Sequence, residues 1–272
     1  ELITYDRNIK DSFILYIHFP LWLNNNNSSS LPLISLLYTD IQIFVKLNQF
    51  KNCIAVEDNV SYQDEIKLKT ELLADYIYLD ENSRKLFAES RHDYLIEQIQ
   101  YNGEFVIENK TELEIPLRFN NPVKDLVWVI QKINHINGSY LNNEKQFHNY
   151  GINKQDNNNL NTENPVDKAL ISFNGLDRFR YLPGSYFNYV QPYEFYNSSP
   201  ADGINVYSFA LNPLLLQPSG TCNFSYISNP KLLLTLKSNY LGLNEIAICR
   251  VYARSYNILR IMSGLGGLAY YE

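Results

Sequence analysis

The chain is 272 residues long with 45% hydrophobic and 19% charged residues, too apolar for a disordered tail and long enough to bury one or two cores without disulfides. A net charge of -6 with no basic stripe excludes a protein that neutralises many phosphates, so direct nucleic-acid binding is not expected. No run of 18 apolar residues is present, and neither a transmembrane segment nor a secretory signal is read.

From Glu1 onward the pattern is already that of a folded unit, because Phe13, Leu15, Ile17 and Phe19 alternate with Ile14, Tyr16 and His18. This reads as the continuation of a unit begun upstream. An Asn/Ser tract at 24–30 predicts a loop, and residues 74–79 predict a strand. Asp80 then stands where an N-cap belongs, followed by Arg84 and Lys85 outward and Leu86 and Phe87 inward, which predicts the single helix of the chain over 80–90.

Beyond it period-2 patterning dominates. The clearest case is Leu113, Ile115, Leu117 and Phe119 against Glu112, Glu114, Pro116 and Arg118; further strands are predicted at 94–101, 126–131, 169–173, 186–195, 204–211, 231–237 and 245–262. Asn102-Gly103, Asn120-Asn121-Pro122, Asn174-Gly175, Pro183-Gly184, Asp202-Gly203 and Pro218-Ser219-Gly220 are the expected turns. A long Asn-rich stretch at 133–164 interrupts the pattern and is expected to be an exposed loop. With 22 tyrosines and 14 phenylalanines to fill pleated surfaces, the reading is an all-β sandwich of the jelly-roll kind.

Signals for chemistry are weak. Cys53, Cys222 and Cys249 have neither disulfide nor zinc spacing, and His18, His92, His135 and His148 form no His-x-His pair. Gly264-Leu265-Gly266-Gly267-Leu268-Ala269 fits Gly-x-Gly-x-x-Ala, but no room remains for the helix and acidic residue that pattern needs; close packing by glycine is the better reading. Glu112 and Glu114 sit on a polar strand face, where solvated carboxylates are ordinary. Sequons occur at Asn26, Asn27, Asn59, Asn109, Asn137, Asn197 and Asn223, the number an asparagine-rich chain gives by chance, and no glycan is assigned. No catalytic, cofactor-binding or metal-ligating residue is assigned. On the last long strand Arg250, Tyr252, Arg254, Tyr256 and Arg260 alternate with Cys249, Val251, Ala253 and Ser255, a face that suits an interface and equally a solvated surface of stacked side chains.

Seven segments carry a resemblance: LPLISLLYTDIQI (31–43), HDYLIEQIQYNGE (92–104), PVKDLVWVIQ (122–131), NGLDRF (174–179), YFNYVQPYEF (186–195), SFALNPLLLQPSGTCNFS (208–225) and VYARSYNILRIMSGLGGLAY (251–270). In this order they resemble the major capsid protein of nucleocytoplasmic large DNA viruses of the iridovirus, phycodnavirus and mimivirus groups. The resemblance implies a double jelly roll, with residues 1–59 as the last strands of a truncated first jelly roll, 60–71 as a linker and 72–272 as a complete second one. It further implies a structural, non-enzymatic subunit of the virion capsid, assembled in the host cytoplasm. Its partners would be copies of itself in a homotrimeric pseudo-hexagonal capsomer, neighbouring capsomers and minor capsid proteins. Leu214, Leu215 and Leu216 stand where relatives carry acidic and histidine residues; as core they would be buried, the expected outcome, and the departure admits a divergent minor capsid protein. Two other functions compete: a carbohydrate-binding jelly roll that stacks sugars on the aromatics near 189–196, and a cupin-like metalloenzyme.

Overall fold

The structure, a computed structural model, describes residues 14–24, 27–48, 69–138, 146–156 and 159–270. Cys53, Asn26, Asn59 and most of the expected linker lie outside these residues. In chain order the helices are α1 (Glu81–Glu89), α2 (Ile133–Asn137) and α3 (Gln191–Tyr196). The strands are β1 (His92–Glu108), β2 (Glu112–Pro116), β3 (Pro122–Lys132), β4 (Ile152–Asp156), β5 (Asn159–Glu163), β6 (Val166–Phe173), β7 (Leu176–Asp177), β8 (Leu182–Pro183), β9 (Ile204–Ser208), β10 (Cys222–Asn223), β11 (Lys231–Leu236), β12 (Ile246–Met262) and β13 (Leu265–Leu268).

Two antiparallel sheets carry the fold. One runs β1-β12-β3-β10, with β9 also on β3 and β13 on β12; the other runs β2-β11-β6-β7, with β8 on β6. Apart from β7 and β8, successive long strands change sheet, so β1, β3, β9 and β12 fall on one side and β2, β6 and β11 on the other. That alternation is the Greek-key signature of a jelly roll. It also explains the composition, since each crossing obliges a strand to offer one apolar face to the opposite sheet. Trp128, Ile130 and Val251 from the first sheet meet Ile115, Ile171, Leu232 and Leu234 from the second in one cluster. The Leu113, Ile115, Leu117, Phe119 alternation lies in that cluster as its pattern predicts.

Among the described residues the chain forms two compact units, 98–256 and 14–97 with 257–270. The first holds the sandwich. Within it the register of β3 defines two ends about 35 Å apart by strand rise. At the Lys132 end lie Ala247, the second residue of β12, and Ile204, opening β9; at the Pro122 end lie Asn223 of β10 and, opposite Asp125, Ser208 closing β9. The Asn-rich stretch therefore leaves from the first end and residues 209–221 from the second.

In the second unit three 3-10 turns, Trp22–Asn24, Asn27–Ser29 and Leu33–Ser35, precede α1. Asp80 caps α1 as expected, its side chain accepting from the Ser83 amide. Phe87 stacks on His92 with ring centroids 5.2 Å apart, whereas Leu86 is 65% exposed, contrary to its inward assignment. Ser263 and Gly264, at φ 54° and 82°, make a two-residue turn that folds β13 back on β12. A Cβ on Gly264 would stand 2.6 Å from Tyr38, and one on Gly266 2.8 Å from Leu36, so these glycines serve close packing and not a dinucleotide.

Four expectations need correction. Residues 74–79 form no strand: alternation is present, but among the described residues no neighbouring strand accepts their backbone bonds. Residues 186–195 are helical, a π-turn (Tyr186–Val190) running into α3; Pro192 sits in its first turn, and buried Phe187, Asn188, Gln191 and Pro192 share one helical face. The helix over 80–90 is thus not the only one. Asn102-Gly103 does not end a strand. Gly103, at φ 86°, is a bulge inside β1, and exposure switches there from odd residues (Ile99, Tyr101) to even ones (Glu104, Val106, Glu108).

The Asn-rich stretch is not a plain loop, because its described residues include a short helix and a hairpin. It opens with α2 and closes with the β4–β5 hairpin, both tied down by side-chain amides and one imidazole. His135 donates from Nδ1 to the Asn149 carbonyl (3.1 Å), and Gln131 donates to the Phe147 carbonyl (2.7 Å). Asn164 bonds Asn205, the Gly184 carbonyl and the Val166 amide. Asparagine supplies donor and acceptor together, so a polar tract can order itself without an apolar face.

Candidate functional site

The cationic face of β12 resolves in favour of the chain's own acceptors. Arg250 donates to Glu104 (2.8 Å) and Gln131 (3.0 Å), and Tyr252 stacks on Tyr101 at 4.9 Å. Arg254 holds both oxygens of Asp125 (2.9 and 3.0 Å from Nε), and the Tyr196 hydroxyl donates to the same carboxylate. Arg260, in the second unit, pairs with Asp93, whose pKa is lowered to about 2 by hydrogen bonds from Arg260 and then Arg91. A strand whose arginines are matched internally offers little free charge to a partner.

Asp125 is the centre of this arrangement and the residue that sequence reasoning missed. Its side chain has no exposure, yet it lies in an 11-residue strand that is otherwise mostly apolar. Burial pushes the Tyr196 phenol well up, and the Asp125 charge pushes it further. Burial alone would lower Arg254, but the Asp125 hydrogen bonds and charge outweigh it and raise the guanidinium. The signal was available: Lys124-Asp125 inside PVKDLVWVIQ is a charged pair in a core strand, and such charges persist only when paired.

Leu214, Leu215 and Leu216 are not core. They are 59, 57 and 53% exposed, and Leu211 is 72% exposed. The loop that carries them closes on itself, with Leu211 N and Asn212 N bonded to Ser219 and Leu215 N to the Asn212 carbonyl. Pro213 is its buried anchor. A closed loop this short leaves no room to turn four leucines inward, so base rates for leucine burial mislead here.

His92 donates from Nε2 to the Phe87 carbonyl, His135 belongs to the Asn-rich clamp, and His18 and His148 are exposed. Among the described residues no group of three or more His, Cys, Asp or Glu is placed to hold a metal ion. Burial raises the Cys222 thiol and lifts Cys249 to about 12, which removes the thiolate from both at neutral pH. Among the described residues no helix is long and apolar enough to cross a membrane.

Comparison with known proteins gives a consistent picture. Residues 83–267 match the family described as large eukaryotic DNA virus major capsid protein, and residues 3–80 match major capsid protein N-terminus. The chain is 32% identical to the major capsid protein of Phaeocystis pouchetii virus, covering 94% of this chain and 65% of the relative. It is 34% identical to that of Paramecium bursaria Chlorella virus 1, covering 94% and 66%. The chain thus spans just under two thirds of the length of these relatives. Among solved structures, a quasi-atomic model of the PBCV-1 virus capsid aligns with TM-score 0.58 and 33% identity over 72% of this chain and 56% of that one. The Faustovirus major capsid protein aligns with TM-score 0.55 at 14% identity, a likeness of fold.

Proposed function

The chain belongs to the major capsid protein family of large eukaryotic DNA viruses, and on that premise we propose that it is a structural subunit of an icosahedral capsid whose function is self-association and not catalysis. The observation that carries this is the jelly-roll strand order, β1-β12-β3 facing β2-β11-β6, lying within the residues that match the family. The buried polar groups support it as well: Asp125, Arg254 and Tyr196 satisfy one another, as a scaffold requires.

In this reading residues 72–272 are the second jelly roll of a double jelly roll, 60–71 a linker and 1–59 strands of the first. Three copies make a pseudo-hexagonal capsomer that meets neighbouring capsomers and minor capsid proteins, assembled in the host cytoplasm and resident in the virion. The Asn-rich stretch, leaving from the Lys132 end, faces outward, and the leucine loop, leaving from the Pro122 end, faces inward. Cross-linking mass spectrometry of purified virions grown in mixed isotopes tests this. Recovery in the shell at high copy number, with cross-links joining light and heavy copies, is the expected result; absence from virions would overturn it.

A further inference from the structure

We propose that an open cleft of the sandwich binds an acidic saccharide, with Arg178 reading its carboxylate or sulfate. The cleft has a volume of about 490 Å³, within the range of small-ligand sites. Its walls include Phe179, Tyr186, Phe195 and Tyr207, and Gln191 closes one side.

Arg178 is exposed but fixed. Its guanidinium carbon lies 5.1 Å from the centroid of Phe209, 5.7 Å from Tyr207 and 5.8 Å from Phe173, and Nε donates to the Tyr207 hydroxyl at 2.9 Å. Among the described residues no carboxylate pairs with it, in a chain whose net charge is -6. Its terminal amino groups are left to a ligand. Arg180, also exposed, follows two residues on.

The polarity of the lining selects the ligand. The Tyr207 oxygen accepts from Arg178, and the Tyr186 oxygen accepts from Gln191 Nε2 at 2.9 Å, so each hydroxyl keeps its own proton to give. Gln191 Oε1 is occupied by the Ser208 amide at 3.1 Å. No carboxylate lines the cleft. The lining therefore offers donors and few free acceptors, which suits an oxyanion and ring hydroxyls that accept. An acidic peptide would bring backbone N–H groups that meet no carboxylate among the lining side chains. Arg178 and Phe179 already pack on Tyr207, which leaves Phe195 and the outer side of Tyr186 to meet the C–H face of a pyranose, and the open mouth leaves its outer hydroxyls in water.

The inference stands apart from the capsid reading, and failure of either leaves the other intact. Isothermal titration of the purified chain with methyl glucuronide, glucose 6-sulfate and methyl glucoside tests it, the first two arms separating carboxylate from sulfate. Saturable binding of at least one acidic sugar about tenfold tighter than methyl glucoside is expected from a charge-assisted contact, weakening with salt. Arg178→Ala removes that preference without lowering Tm; should Tm fall, Arg178→Gln, which keeps the stacked stem, is read instead. Equal affinity for the neutral sugar, an acid preference that survives both variants, or binding of a glutamate tripeptide where neither acidic sugar binds would overturn it.

Discussion

In the sandwich of residues 98–256, Ile115, Trp128, Leu232 and Leu234 are at most 2% exposed. In the other unit Ile41, Ile43, Phe44, Val45 and Leu47 are 45 to 88% exposed, and Leu72, Leu73, Tyr76, Ile77 and Tyr78 are 58 to 92% exposed. Both regions are rich in β-branched and aromatic residues, and both alternate. The difference is pairing: β11 has a strand on each side, whereas residues 41–47 and 72–79 have none among the described residues. Alternation makes a segment suited to a sheet, and only a partner's N–H and C=O groups turn it into a strand.

Single substitutions sharpen that contrast. The largest loss is expected for Asp125→Ala, which strands the Arg254 guanidinium against the sheet. Removing one partner of a fully buried pair costs about 3–5 kcal/mol; with Arg254 itself 31% exposed the loss is expected at the lower end of that range, and urea denaturation measures it. Asp125→Leu combined with Arg254→Met should recover most of the loss, because neither charge is then left alone. Leu234→Ala, emptying a site that is 1% exposed, is expected to cost about 3 kcal/mol by the same measurement, whereas Leu73→Ala, at a site 74% exposed, should stay within about 0.5 kcal/mol. Equal costs would erase the distinction between the two regions.

Two glycines give a finer comparison. Gly103→Ala meets nothing within 4 Å and carries only the strain of φ 86°, about 1 kcal/mol. Gly264→Ala carries similar strain and a clash with Tyr38, so its Tm should fall further. The smallest effect is a pH effect. Burial lowers the His135 pKa below 6.5, outweighing the Asn149 carbonyl that raises it; nearby Lys132 lowers it and Glu245 raises it. The unfolded chain therefore binds the proton first. Stability should be full above pH 6.5 and fall as pH drops towards the lowered value, by at most about 1.4 kcal/mol per unit, then level off. Denaturation of His135→Gln across this window should lack that slope.

Much of the sandwich was legible, because β3, β6, β11 and β12 each bury one face or both and their residues say so. The helical turn at 186–196 was misread although its spacing was present: Phe187, Asn188, Gln191 and Pro192 recur at three to four residues, hidden among tyrosines that suit strands equally well. The Asn-rich clamp was not legible, since which amide bonds which carbonyl depends on neighbours distant in sequence, such as Asn164 with Asn205. Of the polar centre, the arginines of β12 and the charged Lys124-Asp125 pair of β3 were visible, but which arginine meets Asp125 was not: a strand's facing residues depend on which strands pair, which period alone does not reveal.

The sandwich of 98–256 is expected to be self-sufficient, whereas residues 41–47 and 72–79, which have no strand partner among the described residues, are expected to gain one in the assembled capsid subunit of the proposed reading. Hydrogen exchange read by mass spectrometry on the isolated chain and on purified virions tests it directly. Amides of β3, β11 and the 246–256 part of β12 should be protected in both, and those of 41–47 and 72–79 should exchange rapidly in the isolated chain and slowly in the virion. Equal protection of these segments in the two states would contradict the account.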